Sequence, residues 1–292
     1  MTTPATAPAL RSPGRMALRR FLRHKLAIAG AVVLLLVVLA TVCAPLLTGH
    51  DPLKVDLSQV RRPPSGEHLL GTDGSGRDVF ARLLYAGRVS LLVGVFSALL
   101  AVVLGTVLGA VAGIAGGWVD ALIMRAADVF LSFPVLVVMI VIAGILGPSI
   151  TTMVIAIGLF TWPRAGRVVR GVTLSLRERE YVQAAQAFGA RTRWLVVHHV
   201  LPAVLGSVVV VATIAVADGI LLEASLSFLG LGVQPPQPSW GNMLTDAQRL
   251  TVISQMPWLW IPPGIAVAVT VLSVNFVGDG LRDALDPRES AS

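Results

Sequence analysis

Long, predominantly apolar runs alternate with shorter polar segments along this chain. Residues 26–47 form the first run, and later runs occupy residues 89–116, a stretch ending near residue 147, residues 204–231 and residues 258–277. A helix of about 20 apolar residues is long enough to cross the hydrocarbon core of a bilayer. The pattern therefore predicts an all-α integral membrane protein in which each run is a transmembrane helix.

A shorter run at residues 150–162 decides the number of spans, because it falls short of the usual crossing length before Pro163. Without this span, residues 164–199 would lie outside the cell. That stretch is rich in arginine, with only two acids, and positive loops favour the cytoplasm. We therefore expect a fourth span that ends at Pro163, and six transmembrane helices in total.

The amino-terminal segment, residues 1–25, ends in several basic residues directly before the first span. A secretory signal peptide would have a shorter apolar region and a small-residue cleavage site, so we expect a retained anchor. Positive charge before the span predicts a cytoplasmic amino terminus. With six spans, both termini are then expected in the cytoplasm.

Composition agrees with a membrane protein and excludes some partners. The chain has 292 residues, of which 55% are hydrophobic and 13% charged, with a mean hydropathy of +0.79. The net charge of +7 could indicate a nucleic-acid partner, but the arginines cluster between apolar runs, where membrane orientation explains them. No nucleic-acid partner is expected. The single cysteine, Cys43, excludes an intramolecular disulfide.

Two features inside the predicted spans concern helix packing and a translocation path. Glycines at every fourth place predict a helix face that packs closely against another helix: Gly105, Gly109, Gly113 and Gly117. Asp218 and Glu223 lie at membrane depth, where acids usually face the bundle interior or a translocation path. A structural, hydrogen-bonded role is an equally open alternative for both. As a catalytic pair they would lie about 140° apart around a helix, which argues against an intramembrane enzyme.

Motifs for chemistry are missing from the sequence. Neither Lys25 nor Lys54 stands in a Gly-Lys-Ser/Thr nucleotide-binding loop, so ATP would have to be hydrolysed by another subunit. The five histidines lie outside the predicted spans without a metal-ligand spacing. We expect no catalytic residue, no metal site and no cofactor bound by this chain.

Residues 180–202 interrupt the apolar pattern. Apolar residues at helical spacing predict one face that is small in its middle: Tyr181, Ala184, Ala185 and Phe188. Gly189 stands where this helix should end, because glycine adopts a left-handed exit without steric cost. A second short helix over residues 192–200 is predicted to end against Pro202. Together they predict a compact, bent knob.

This segment resembles the EAA loop of permease subunits in ATP-binding-cassette (ABC) importers. The family pattern is Glu-Ala-Ala, three residues, Gly, nine residues, an aliphatic residue, one more residue and Leu-Pro. The matching places here are Gln183, Ala184, Ala185, Gly189, His199, Leu201 and Pro202. Gln183 thus replaces the family's glutamate and His199 its aliphatic residue, which puts in doubt any ion pair made by that glutamate.

Further motifs resemble the second permease of dipeptide, oligopeptide and nickel importers, over nearly the whole chain. They are Pro63-Pro64-Ser65, Gly71-Thr72-Asp73, Gly76-Arg77-Asp78-Val79, Arg82-Leu83-Leu84-Tyr85, residues 223–232, residues 235–241 and residues 278–288. The resemblance implies a type I ABC importer permease fold in the cytoplasmic membrane of a bacterium. It also implies that the cargo is a peptide, with nickel or another small solute as the alternative. An ATP-independent channel or membrane scaffold is the competing class of function.

The resemblance implies partners and a domain division as well. The partners are a homologous second permease, two ATPase subunits that use ATP and Mg²⁺, an extracytoplasmic binding protein and membrane lipid. The residues that couple to an ATPase would be Glu180, Tyr181, Gln183, Ala184, Ala185, Gly189, Leu201 and Pro202. The division is a basic cytoplasmic segment (1–25), a first transmembrane helix (26–47), an extracytoplasmic loop with an amphipathic end (48–88), a core permease domain (89–280) containing a cytoplasmic coupling loop (164–202), and a cytoplasmic tail (281–292).

Overall fold

Helices dominate the fold of residues 18–189 and 192–285, the part of the chain that this computed structural model describes. Helix makes up 79% of the structure, and the described residues contain no strand. The helices of eight or more residues are α1 (Lys25–Val42), α2 (Val79–Ala115), α3 (Gly117–Ser132), α4 (Val135–Leu146), α5 (Ile150–Arg177), α6 (Glu180–Ala187), α7 (Leu201–Phe228) and α8 (Ile261–Leu285). Short helical segments cover Ala44–Leu47, Leu57–Gln59, Thr192–Leu195, Val196–Val200, Trp240–Met243, Leu244–Gln248, Leu250–Gln255 and Pro257–Leu259.

Among the described residues, four helices are long and apolar enough to cross a membrane: α1, α2, α7 and α8. The pair α3 and α4 would add a fifth crossing if it is counted as one broken span. The ends of the amino-terminal segment and of the predicted tail, residues 1–17 and 286–292, lie outside the described residues.

The sequence pattern suggested one straight helix for the third apolar run, but the structure has two helices there, α3 and α4. α3 and α4 meet at an angle of 84°. Phe133 adopts an extended conformation there, with φ −100° and ψ 137°. Because Pro134 follows, the α conformation is disfavoured at Phe133, and the helix ends at Ser132.

The fourth run also differs from its prediction. α5 does not end at Pro163; it is 28 residues long and continues to Arg177, with Pro163 buried inside it. Proline removes one backbone hydrogen bond, but in membrane helices close packing of neighbours makes this tolerable. The predicted end of the fourth span at Pro163 was therefore wrong, and the arginines from Arg164 onward extend the helix.

The other boundaries move by smaller amounts. α2 begins at Val79, where the Asp78 side chain accepts a hydrogen bond from the Ala81 amide at 2.6 Å. The amphipathic end of the predicted loop 48–88 is thus the first part of α2. α8 likewise continues to Leu285, so the described start of the predicted tail is helical.

α2 occupies the centre of the bundle. It packs most extensively against α5 and next against α7, while α8 packs against α1 and α7. α5 and α7 are joined through the short helices of residues 180–200 and also contact each other, so they run antiparallel beside α2. The bundle therefore has an EAA end, where this connection lies, and a loop end, where α7 leads into residues 229–260.

Candidate functional site

The EAA segment, residues 180–202, has the predicted bent form. α6 ends at Ala187, and Gly189 adopts φ +81°, the left-handed conformation that allows glycine to end a helix. The helical segment Thr192–Leu195 follows and leads into a π-helical turn, Val196–Val200. This turn continues directly into α7, so Pro202 lies in the first turn of a long helix rather than after a break.

The inner side of the EAA segment is anchored by apolar contacts. Val182, Leu195 and Val200 are buried and belong to one hydrophobic cluster with residues of the bundle. These bundle residues are Ala110 and Ile114 of α2, Val169 of α5 and Val204 of α7. The EAA segment therefore packs against three long helices at once, α2, α5 and α7.

The outer side of the segment exposes small and aromatic residues. Phe188 is 93% exposed, and Ala184 and Ala187 are exposed beside it. Tyr181 is about half exposed, at 52%. The other residues predicted for coupling are exposed (Glu180, Gln183, Gly189 and Pro202) or intermediate (Ala185 and Leu201). The structure thus brings the predicted coupling residues onto one segment, with the apolar anchor behind them.

The glycine face of α2 lies against α5. A β-carbon on Gly105 would lie 2.7 Å from the carbonyl oxygen of Trp162, and one on Gly109 would lie 2.3 Å from that of Gly166. One on Gly113 would lie 2.6 Å from the Thr173 side chain. These distances show that the backbones of α2 and α5 approach each other closely along this face.

Gly117 does not belong to that face, contrary to the sequence prediction. It is the first residue of α3, adopts φ +55°, and a β-carbon there would meet nothing within 4 Å. Gly116, also at positive φ, ends α2 and turns the chain away. The glycine spacing continues past the point where the helix stops.

Three arginines on successive turns of α5 form ion pairs with acids on other helices. Arg170 and Asp120 of α3 make two contacts, of which Nη2 to Oδ2 measures 2.6 Å. Arg167 donates to Asp128 of α3 at 2.6 Å. The third pair joins Arg164 to Asp218 of α7. The first part of the predicted coupling loop 164–202 is therefore helical and pairs with the bundle; only the part after Arg177 is a connection.

Glu223 has an environment unlike that of Asp218, although both are on α7. Glu223 is fully buried, and its two carboxylate oxygens accept hydrogen bonds from Ser90 of α2 and Ser227, each at 2.7 Å. Asp218 is 34% exposed and faces Arg164. The structure thus places Glu223 in the bundle interior and Asp218 at a partly open groove.

The Glu223 cluster also holds the loop that follows α7. The backbone amide of Trp240 donates to Ser90 Oγ at 3.2 Å, and that of Val233 donates to Ser227 Oγ at 3.1 Å. The buried Trp240 indole donates to the carbonyl oxygen of Leu83 at 3.1 Å. Serines that donate to a carboxylate and accept from loop amides were not predicted, since no sequence spacing links Ser90 to Glu223.

Two histidines that lack a metal-ligand spacing in sequence are brought together in the loop before α2. His50, His68 and Asp78 each offer one ligand atom, and these atoms lie within 4.8 Å of one another. Both Asp78 oxygens already have partners, since Oδ1 caps α2 and Oδ2 lies 2.8 Å from His68 Nδ1. Asp78 thus connects the loop to the start of α2. The sequence spacing of these residues alone could not reveal this contact.

Comparison with known families places these features in context. A model described as "binding-protein-dependent transport system inner membrane component" matches residues 105–291, more than half of the chain. A second, the N-terminal transmembrane domain of oligopeptide transport permease C, matches residues 12–64. Together the two models include α1 and the EAA segment.

Individual relatives align over nearly their full lengths. A Brucella suis biovar 1 protein that bears the name of a peptide permease is 45% identical over 281 residues, covering 96% of this chain and 93% of the relative. The oligopeptide transport system permease protein OppC of Escherichia coli K12 is 44% identical, with 96% and 92% covered. The dipeptide transport system permease protein DppC of Alkalihalophilus pseudofirmus is 43% identical, with 95% and 90% covered. This chain therefore belongs to the family of binding-protein-dependent transport system inner membrane components, the permease subunits of ABC importers.

Proposed function

We propose that this chain is the second permease subunit of an ATP-driven peptide importer in the cytoplasmic membrane of a bacterium. Its partners are a homologous permease, two ATPase subunits that use ATP and Mg²⁺, and an extracytoplasmic binding protein. The chain itself binds no cofactor and catalyses no reaction. Peptide cargo is supported by the names of the relatives, which refer to peptides, dipeptides and oligopeptides.

The observation that carries this proposal is the two-sided construction of the EAA segment. Its inner side is fixed to α2, α5 and α7, while its outer side exposes Phe188 and Ala184. Aromatic residues are enriched in protein–protein contacts, and the small side chains beside Phe188 leave room for a partner's surface to approach it. An ATPase bound to this outer side could move three membrane helices when ATP binding closes the ATPase pair.

The proposed topology has six spans and cytoplasmic termini. The spans are α1, α2, the bent pair α3–α4, α5, α7 and α8. The arginines on the second half of α5 support a cytoplasmic EAA end, since positive residues favour that side. Residues 48–78 and 229–260 then lie on the extracytoplasmic side.

The coupling role is tested by Phe188→Asp in the assembled complex. A carboxylate on the outer side should prevent co-purification of the ATPase subunits, because burying an unpaired charge in an apolar contact costs free energy. Leu250→Asp is the matched control, since Leu250 is 83% exposed at the loop end. Equal ATPase recovery with Phe188→Asp and wild type would contradict the proposal.

The orientation is tested with a cysteine at Ser175, an exposed position near the end of α5, in a Cys43→Ser background. A membrane-impermeant thiol reagent should not label it in intact cells and should label it after the cells are opened. Ready labelling in intact cells would place the EAA end outside and exclude an ATPase contact.

A further inference from the structure

The ion pair between Arg164 and Asp218 lies between two cavities of the bundle. One cavity, of about 190 Å³, has Thr161, Arg164, Val211, Ile214, Ala215 and Asp218 in its lining. The other, also of about 190 Å³, has Thr161, Arg164, Asp218, Leu221, Leu222 and Ser225 in its lining. Thr161, Arg164 and Asp218 belong to both linings, so they form the partition.

The two cavities follow one another along the helix axes. On α7, one cavity uses Val211, Ile214 and Ala215, which precede Asp218 and lie toward the EAA end. The other uses Leu221, Leu222 and Ser225, which follow Asp218 and lie toward the loop end. A solute that moved along the bundle from one cavity to the other would pass next to the ion pair, because both of its residues line both cavities.

The exposure of this pair needs a physical reason. The Arg164 side chain is 64% exposed and that of Asp218 34% exposed, although both helices are assigned to the membrane. Charged side chains at membrane depth are costly in contact with lipid and are found facing watery cavities or other protein. Apart from Thr161 and Ser225, the other cavity-lining residues are apolar. The ion pair therefore marks a place in the bundle where a polar solute could bind.

We propose that Arg164 and Asp218 form a gate and cargo subsite that opens by exchanging their ion pair for the two charged ends of a short peptide. This inference rests on the proposed function as a peptide permease. A peptide with free ends carries one ammonium and one carboxylate group. Asp218 can pair with the ammonium and Arg164 with the carboxylate, so opening replaces one ion pair with two and leaves no charge unpaired.

The exchange also explains why the partition is an ion pair rather than an apolar plug. An apolar partition would offer nothing to the ends of a peptide, whose desolvation is costly without new partners. The guanidinium group of arginine binds carboxylates well because its paired N–H groups match the two oxygens. The apolar walls of the two cavities would then contact the peptide's side chains without strong selection among them.

The gate is tested by access to the cavity at the EAA end. Ala215→Cys, in a Cys43→Ser background and in the assembled complex, should react slowly with an impermeant thiol reagent added outside intact cells. Adding Arg164→Gln should increase the labelling rate about tenfold, because removal of the pair lowers the barrier to reagent passage. Arg167→Gln is the matched control, since Arg167 is a similarly exposed arginine on the next turn and lines neither cavity.

An unchanged labelling rate with Arg164→Gln, or an equal rise with Arg167→Gln, would overturn the gate. The stimulation of ATP hydrolysis by the cargo-loaded binding protein separates this failure from failure of the proposed function. If that stimulation is present in the wild-type complex while labelling is unchanged, only the gate is wrong. If the wild-type complex shows no stimulation, the proposed function fails, and the gate fails with it.

The cargo subsite is tested with dialanine and with its N-acetyl, C-amide derivative, each at millimolar concentration. In the purified complex, dialanine should slow labelling of Ser225→Cys in the cavity at the loop end, and the blocked derivative should not. Asp218→Asn should abolish the protection, whereas Asp128→Asn, which breaks the neighbouring pair, should preserve it. Equal protection by both compounds would overturn recognition of the charged ends.

Discussion

The two ends of the bundle are held to the long helices by different kinds of contact. At the loop end, the Glu223 carboxylate is fully buried, and two serines join it to α2 and to the amides of Val233 and Trp240. At the EAA end, the segment of residues 180–202 is held by apolar contacts on its inner side and leaves Phe188 93% exposed outside.

This difference separates a fixed joint from a docking surface. Buried hydrogen bonds require specific geometry, so the loop-end connection should move with α2 and α7 as one body. Apolar contacts carry no such directional requirement, and an exposed aromatic residue retains surface that a partner can bury. We therefore expect substitutions at the loop end to change stability and those at the EAA end to change coupling.

The largest effect is expected from Glu223→Leu. It leaves the Ser90 and Ser227 hydroxyls without their acceptor, at a cost of about 1–3 kcal/mol for each group that finds no new partner. The detergent-purified protein should unfold at a lower temperature, and the yield of assembled complex should fall.

Glu223→Gln is the control for this prediction. It retains the size of the side chain and one acceptor oxygen, so its loss of thermal stability should be clearly smaller. If Glu223→Leu unfolds at the wild-type temperature, the loop end is not the fixed joint. The contrast between the two ends would then be lost.

An intermediate and more selective effect is expected from Gly189→Val compared with Gly230→Val. Both glycines have φ +81°, and a β-carbon at either would meet nothing within 4 Å. The strain should therefore be similar, about 1–2 kcal/mol for a residue with a β-carbon. Gly189 ends the first helix of the EAA segment, whereas Gly230 follows α7 at the loop end.

Comparison of these two variants distinguishes the effect of backbone strain from a loss of coupling to the ATPase. Both variants should insert into the membrane with similar small losses of thermal stability. Only Gly189→Val should reduce ATP hydrolysis stimulated by the loaded binding protein, together with peptide uptake, because it tilts the ATPase contact. Equal loss of stimulation in both variants would show that the effect comes from general destabilisation.

The features that depend on local sequence were predictable. The bend at Gly189 follows from the conformational freedom of glycine, and the close α2–α5 contact follows from the spacing of Gly105, Gly109 and Gly113. Family membership was also predictable, and the matching family models confirm it. For the bend and the glycine face, the signal lies within a few turns of one helix.

The features that depend on tertiary structure were not predictable. Ser90 and Glu223 are 133 positions apart, and Arg164 and Asp218 are 54 apart, so no local pattern links either pair. Pro163 suggested a helix end because the sequence does not show that α2 packs against α5 there. Gly117 had the right spacing but follows the end of α2, which spacing alone cannot reveal.

The smallest effect is expected at Gln183, which occupies the place of the family's glutamate. Gln183 is exposed, and its amide nitrogen lies 3.5 Å from the Glu178 carbonyl oxygen, at the limit of a hydrogen bond. Removing so weak a contact should cost at most about 0.5 kcal/mol, so Gln183→Ala should retain most of the stimulated ATP hydrolysis.

Gln183→Glu restores the charge that the family pattern contains. It should match or exceed wild type at low salt and lose that advantage as salt screens an exposed ion pair. The measurement is binding-protein-stimulated ATP hydrolysis across a salt series, with wild type expected to show the weaker salt dependence. A loss with Gln183→Ala as severe as that with Gly189→Val would make the amide a principal contact, and the backbone bend would then no longer be the main determinant of coupling at this end.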